Sequence, residues 1–221
     1  MDRRGFLAVA FGLSLVAGAP VAAQTQLPIP TPAPAVPAPA AAREQVVLHT
    51  TAGDIIIALE PNAPVTAANF LRYVAEKRFD GTDFYRSMVL GPNVGLIQGG
   101  TQNAPVRILP PIAHEPTNET RLSHTDGAVS MARNEPGSAT GDFFIIVGDV
   151  STLDANRSAP GDPGFAVFGR VVEGMDVVRQ ILAAPKSPTE GEGFMVGQML
   201  EPRIRILSAG RVVEAIADPR P

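Results

Sequence analysis

An arginine at position 86, a glutamine at position 98 and the apolar run around Phe143 and Phe144 are the parts of this chain best equipped for chemistry. Phe84-Tyr85-Arg86 is followed by Gln98-Gly99-Gly100, then by Ser130-Met131-Ala132-Arg133 and Phe143-Phe144-Ile145-Ile146. The last two segments read as apolar strands separated by an irregular loop of small residues, Asn134 to Asp142. On one surface, these pieces would set a guanidinium and a side-chain amide beside an apolar patch. That equipment suits a bond whose charge distribution changes as it rotates. The amide before a proline is such a bond. Its cis and trans forms are nearly balanced, yet lost resonance separates them by roughly 18–20 kcal/mol. As it twists, the prolyl nitrogen gains a lone pair. A fixed donor aimed at that nitrogen stabilises the twisted state more than the planar one, which is what catalysis requires. Arginine is always charged, planar and rich in donors. Apolar surroundings that exclude water strengthen its effect. Neither proton transfer nor a covalent intermediate is needed.

Other chemistries find little support. Cysteine is absent, which removes disulfides and thiol catalysis. His49, His114 and His124 are scattered without metal-ligand spacing, and each reads as a loop or core-edge residue. No glycine loop ahead of a helix could cradle a phosphate. No serine sits in a nucleophile-elbow pattern within the mature domain. Glu115 and Asp126 read as loop residues with solubility or turn roles. The formal charge of −4 gives no electrostatic reason to expect a nucleic-acid partner.

The elements that must position these residues follow from pattern. Arg3 and Arg4, the apolar run Phe6 to Ala17 and the small residues Val21-Ala22-Ala23 read as a cleavable export signal over 1–23. The apolar run is shorter than the roughly 20 residues that span a bilayer. An exported, periplasmic product is expected, by the general secretory or the twin-arginine route. A membrane tether follows only if the signal stays uncleaved. Residues 24–43 are a Pro/Ala-rich linker, and six prolines between Leu27 and Ala42 deny it helix and sheet. The folded domain is expected over 44–215, with a tail at 216–221. With 45% apolar residues it can rest on its core alone. Val46 to His49 and Asp54 to Glu60 read as a hairpin. A helix follows Pro64, with Ala67, Phe70, Leu71 and Val74 at i, i+3, i+4 and i+7. Short strands are expected near 82–88, 95–98, 128–132, 143–147, 165–172 and 204–207, a loop from Gly99 to Ser123, and a second helix near 175–182. Many short strands and two helices predict a closed β-barrel with a helix over each open end.

Phe84-Tyr85-Arg86, Gln98-Gly99-Gly100, Ser130-Met131-Ala132-Arg133, Phe143-Phe144-Ile145 and Val167-Phe168-Gly169-Arg170-Val171-Val172-Glu173-Gly174-Met175 together resemble the cyclophilin-type peptidyl-prolyl isomerases. Each block alone is weak; five in register are specific. The resemblance implies a mostly β fold, a closed eight-stranded antiparallel β-barrel capped by two α-helices, working without metal or cofactor. It implies that Arg86 is catalytic and that Gln98 bonds the substrate backbone. Phe144 would floor the proline pocket, Leu153 would wall it, and Ala132 and Arg133 would pair with the substrate along a strand edge. Met88 and Leu96 read as core, with pocket wall as their other role. The implied partners are proline-containing unfolded or extended polypeptides, bound by a monomer.

The chain also departs from the family pattern. Gly95 stands where a pocket phenylalanine is usual, and the Leu90 to Val94 loop is long enough to fill the gap. Asp142 replaces a glutamine, Thr152 a tryptophan, and Phe165 a pocket histidine, the last restoring aromatic surface. An insert from Ala155 to Gly164 carries two prolines and two glycines. These departures raise the alternative of a catalytically weak proline-peptide-binding chaperone or scaffold.

Overall fold

The structure, a computed structural model, describes residues 43–212. The expected export signal, all of the linker but Arg43, residues 213–215 and the tail lie outside the described residues.

Eight strands carry the domain: β1 (Gln45–Thr50), β2 (Gly53–Leu59), β3 (Thr82–Gly91), β4 (Val94–Gly100), β5 (Ala128–Met131), β6 (Asp142–Val147), β7 (Ala166–Glu173) and β8 (Met199–Arg211). They close antiparallel in the order β1-β2-β7-β5-β6-β4-β3-β8, with β8 returning to β1. Closure leaves no sheet edge open. Helices α1 (Pro64–Ala75) and α3 (Met175–Ala183) pack on the barrel, and α2 (Thr117–Thr120) is a single turn. The pattern predicted two helices; the third was illegible because four residues show no periodicity. The expected Leu90 to Val94 loop is instead the tight end of the β3–β4 hairpin, turning at Pro92 and Asn93.

Strand alternation sorts the side chains into two groups. In β6, Phe143, Ile145 and Val147 enter the main core, while Phe144 and Ile146 join a second cluster with Leu96, Ala128, Val150 and Val167. The main core is aromatic where α1 meets the barrel. Phe70 of α1 lies 5.4 Å from Phe143 and 5.0 Å from Phe168. Burying each such ring contributes roughly 1.5–3 kcal/mol. The α3 face brings Val178, Ile181 and Leu182 into the same core.

The start of α1 is capped from a distance. Its N-cap residue, Ala63, offers no side-chain acceptor. The Glu115 carboxylate instead accepts from Val65 N at 3.1 Å, Thr66 N at 2.8 Å and the Thr66 hydroxyl at 2.6 Å. Unpaired amides and the positive end of the helix both favour an anion there. Glu115 therefore ties the long 101–123 loop to α1, beyond the solubility or turn role expected of it.

Candidate active site

Regular alternation after Phe84, which faces the core, would send Tyr85 outward and Arg86 into the barrel. A β-bulge prevents this. Phe84 pairs with Gly99 and Arg86 with Gln98, so two residues of β3 oppose one of β4. The extra residue re-aims the strand, and Tyr85 and Arg86 both line one cavity of about 750 Å³. Inward alternation resumes at Ser87, whose hydroxyl donates to the Leu182 carbonyl at 2.7 Å.

The cavity brings together Arg86, Gln98, Ala132, Arg133, Phe144, Leu153 and Phe165. Arg86 is only 8% exposed. Its Nε and Nη2 donate to Gln198 Oε1 at 2.9 and 2.7 Å, and its Nη1 donates to Gln98 Oε1 at 2.9 Å. Nη2 also approaches Met88 Sδ at 3.4 Å. A guanidinium has five N–H donors. These four contacts leave one, on Nη1, uncommitted. Burial lowers the Arg86 pKa, with the Tyr85 hydroxyl opposing the shift. Gln98 Nε2 in turn donates to Tyr85 Oη at 2.7 Å. Burial, the largest cause, and the nearby Asp142 carboxylate push the Tyr85 phenol well up, so it stays protonated.

Phe144 forms an apolar floor. The Phe165 ring meets it edge-on at 5.5 Å and 85°, and His124 lies parallel to it at 5.8 Å and 13°. Leu153 closes one wall from a short 3₁₀ turn, and its carbonyl accepts from Phe165 N at 3.0 Å. Met88 and Leu96 line the cavity too; Leu96 also keeps the core role favoured from pattern, being buried in the second cluster, and Met88 packs against that cluster. Gly95 does not stand at a pocket position. A Cβ there would lie 2.2 Å from the Met88 carbonyl and 3.1 Å from Leu182 Cδ1, on the α3 side. Leu90 fills no gap either, being 53% exposed at the hairpin end.

Ala132 lies just past β5, and its amide already donates to the Asp142 carbonyl at 2.8 Å. That N–H is not free to pair with a ligand. The Arg133 guanidinium packs over Phe165 at 4.8 Å and donates Nε–H to the Gly164 carbonyl at 3.1 Å. Its side chain thus holds the insert against the pocket. Asp142 accepts from Gln102 N at 2.7 Å and Asn103 N at 3.2 Å; burial raises its pKa against these bonds.

Three features escaped sequence reasoning. His124 lies in the loop before β5, as expected, but is fully buried there rather than at the core's edge. Its Nδ1–H donates to Asp154 at 2.5 Å, and its Nε2 accepts from the Ser130 hydroxyl at 3.0 Å, because a carboxylate can only accept. Burial lowers its pKa, against the opposing effect of Asp154. Ser130 is fully buried, so this acid–imidazole–hydroxyl chain has no access to a substrate; it supports Phe144 from beneath. The second feature is the segment Ser187–Gln198, whose Gln198 grips Arg86 across 112 positions. No local pattern marks a glutamine so far along the chain. The third is Tyr85, quoted in the motif but given no role. Among the described residues, no group of three or more histidines or carboxylates could hold a metal ion.

Residues 45–211 match the family described as cyclophilin type peptidyl-prolyl cis-trans isomerase/CLD. The chain belongs to that family. It is 42% identical over 151 residues to a peptidyl-prolyl cis-trans isomerase of Acinetobacter baylyi, covering 66% of this chain and 76% of that one. It is 36% identical over 186 residues to peptidyl-prolyl cis-trans isomerase A of Dickeya dadantii, covering 82% and 85%. Its fold is similar to the crystal structure of a Cryptosporidium parvum cyclophilin type isomerase in the presence of the dipeptide Ala-Pro. There the TM-score is 0.61 at 18% identity, covering 76% of this chain and 99% of that one. The protein is therefore a cyclophilin-type peptidyl-prolyl cis-trans isomerase. Within it, the bulged β3, the Phe144 floor and the Arg133-clamped insert surround one cavity.

Proposed function

We propose that Arg86 drives X–Pro rotation in this cavity and that the clients are exported polypeptides. The observation that carries the reading is the Arg86 guanidinium, fastened by Gln98 and Gln198 with one Nη1 donor left over beside the Phe144 floor. The proline ring rests on Phe144 between Leu96, Leu153 and Phe165. The spare N–H meets the prolyl nitrogen as it pyramidalises. A planar amide offers that nitrogen little to share, so the bond strengthens only in the twisted state. Both anchoring glutamines are set before substrate arrives, and little reorganisation accompanies the step. Substrate backbone lies along Ala132 and Arg133, using groups other than the Ala132 amide. A solved relative studied with Ala-Pro supports a proline-peptide ligand. The signal-like residues 1–23 support a periplasmic location, where newly exported chains present slow X–Pro bonds.

The test is cis–trans exchange in an Ala-Pro peptide followed by NMR, with parent and Arg86→Ala protein. The parent accelerates exchange, and Arg86→Ala loses most of that rate while still binding the peptide. Equal rates would remove Arg86 from the mechanism. Fractionation of cells expressing the full chain, and a chain lacking residues 1–23, tests the location.

A further inference from the structure

Phe194 is the only exposed phenylalanine or tyrosine among the described residues, 77% accessible. It stands on the short 3₁₀ turn Gly193–Met195, with its ring 5.3 Å from Arg86 Cζ. The turn is held by its base. Gln198 Nε2 donates to the Phe194 carbonyl at 2.7 Å, Ser87 N to the Gln198 carbonyl at 2.9 Å, and Gly197 N to the Glu190 carbonyl at 3.1 Å. One side chain, Gln198, thus fixes both Arg86 and the segment that carries Phe194.

The barrel order decides where this shelf lies. Strands run β6-β4-β3-β8 around that side. Phe144 on β6 and Leu96 on β4 put the proline hollow on one flank of Arg86. Met199 on β8 and the Phe194 turn occupy the other flank. A peptide whose proline fills the hollow, with its imide at Arg86, extends a neighbouring side chain over Phe194. Met195 and Met199 line the same cavity beside it, and thioethers adapt to varied apolar shapes.

We propose that Phe194, with Met195 and Met199, is a subsite for an aromatic or large apolar side chain next to the substrate proline. It rests on the reading of this cavity as the isomerase site. Two peptide series test it, one varying the residue before proline and one the residue after, each with phenylalanine against glycine. Offset or edge-on ring contacts are worth a factor of about two to ten in affinity. The parent prefers phenylalanine by that factor in kcat/KM at one of the two positions. Phe194→Ala brings this ratio close to one, and Phe194→Leu keeps part of it. The residue is largely exposed, so the fold survives either change. An unchanged ratio in Phe194→Ala, or a parent with no preference in either series, overturns the subsite. A parent that catalyses neither series, or an Arg86→Ala protein as fast as the parent, overturns the underlying site instead.

Discussion

Replacing Arg86 with lysine keeps the charge and discards the fork. The guanidinium reaches Gln198 Oε1 with two nitrogens, at 2.9 and 2.7 Å, and Gln98 Oε1 with a third, at 2.9 Å. A lysine has one nitrogen and three rotating donors. It can satisfy at most part of this frame, and then has no donor fixed toward the imide. A hydrogen bond to a charged group is worth about 1.5–3 kcal/mol, so losing it entirely in Arg86→Ala lowers kcat/KM about ten- to 150-fold. Arg86→Lys retains attraction to the twisted nitrogen but not the aim, and falls between, about tenfold below the parent. The assay is NMR exchange on one Ala-Pro peptide across a concentration series, with thermal melts to show that each variant is folded. The loss belongs in kcat rather than KM, because the missing bond forms only in the twisted state. A lysine variant within twofold of the parent would refute the requirement for a fork. An alanine variant within threefold would refute the arginine mechanism itself.

Further outcomes follow from neighbouring contacts. Tyr85→Phe removes the acceptor of the Gln98 amide and frees that side chain to turn from Arg86. An expected drop of about three- to tenfold in kcat/KM, measured in the same assay, fails if Arg86 alone holds Gln98. Gly164 has φ +59, and a Cβ there would lie 2.5 Å from Ala155 N and 2.6 Å from the Leu153 carbonyl. Gly164→Ala should therefore cost more than about 1 kcal/mol in denaturant unfolding and raise KM by displacing Leu153 and Phe165. Unchanged values of both would show that the insert yields freely. Burial holds the folded pKa of His124 below its ordinary value. Above about pH 6.5 both folded and unfolded states are neutral at this residue. Below it the unfolded state takes a proton that the folded state resists, so stability declines from about pH 6.5 down to the lowered folded value. Denaturant midpoints at pH 7.5 and 5.5 check this, and a higher midpoint at pH 5.5 contradicts it.

Much of the site was legible because the strands that carry it obey a period of two. Phe143 and Phe144 are adjacent, apolar and alike in type, yet alternation alone sends one to the core and the other to the cavity. The same rule pairs Ile97 inward with Leu96 and Gln98 outward. Gly95 misled because matching a motif position says nothing about the face, and the structure turns that face toward α3. Ala132 misled in part because only the fold shows that its amide is already engaged by Asp142.

Residue type and order were enough to establish a barrel-forming chain with an arginine, a glutamine and an apolar patch in register, since alternation and helix periodicity are local properties. Tertiary structure decided what those residues became. The bulge at Tyr85 turns Arg86 outward because β3 must match two neighbouring strands at once, a demand no local pattern records. The grip of Gln198 on Arg86 and the burial of His124 beneath Phe144 arise for the same reason: both depend on closing the barrel, which brings distant segments into contact and removes water from between them.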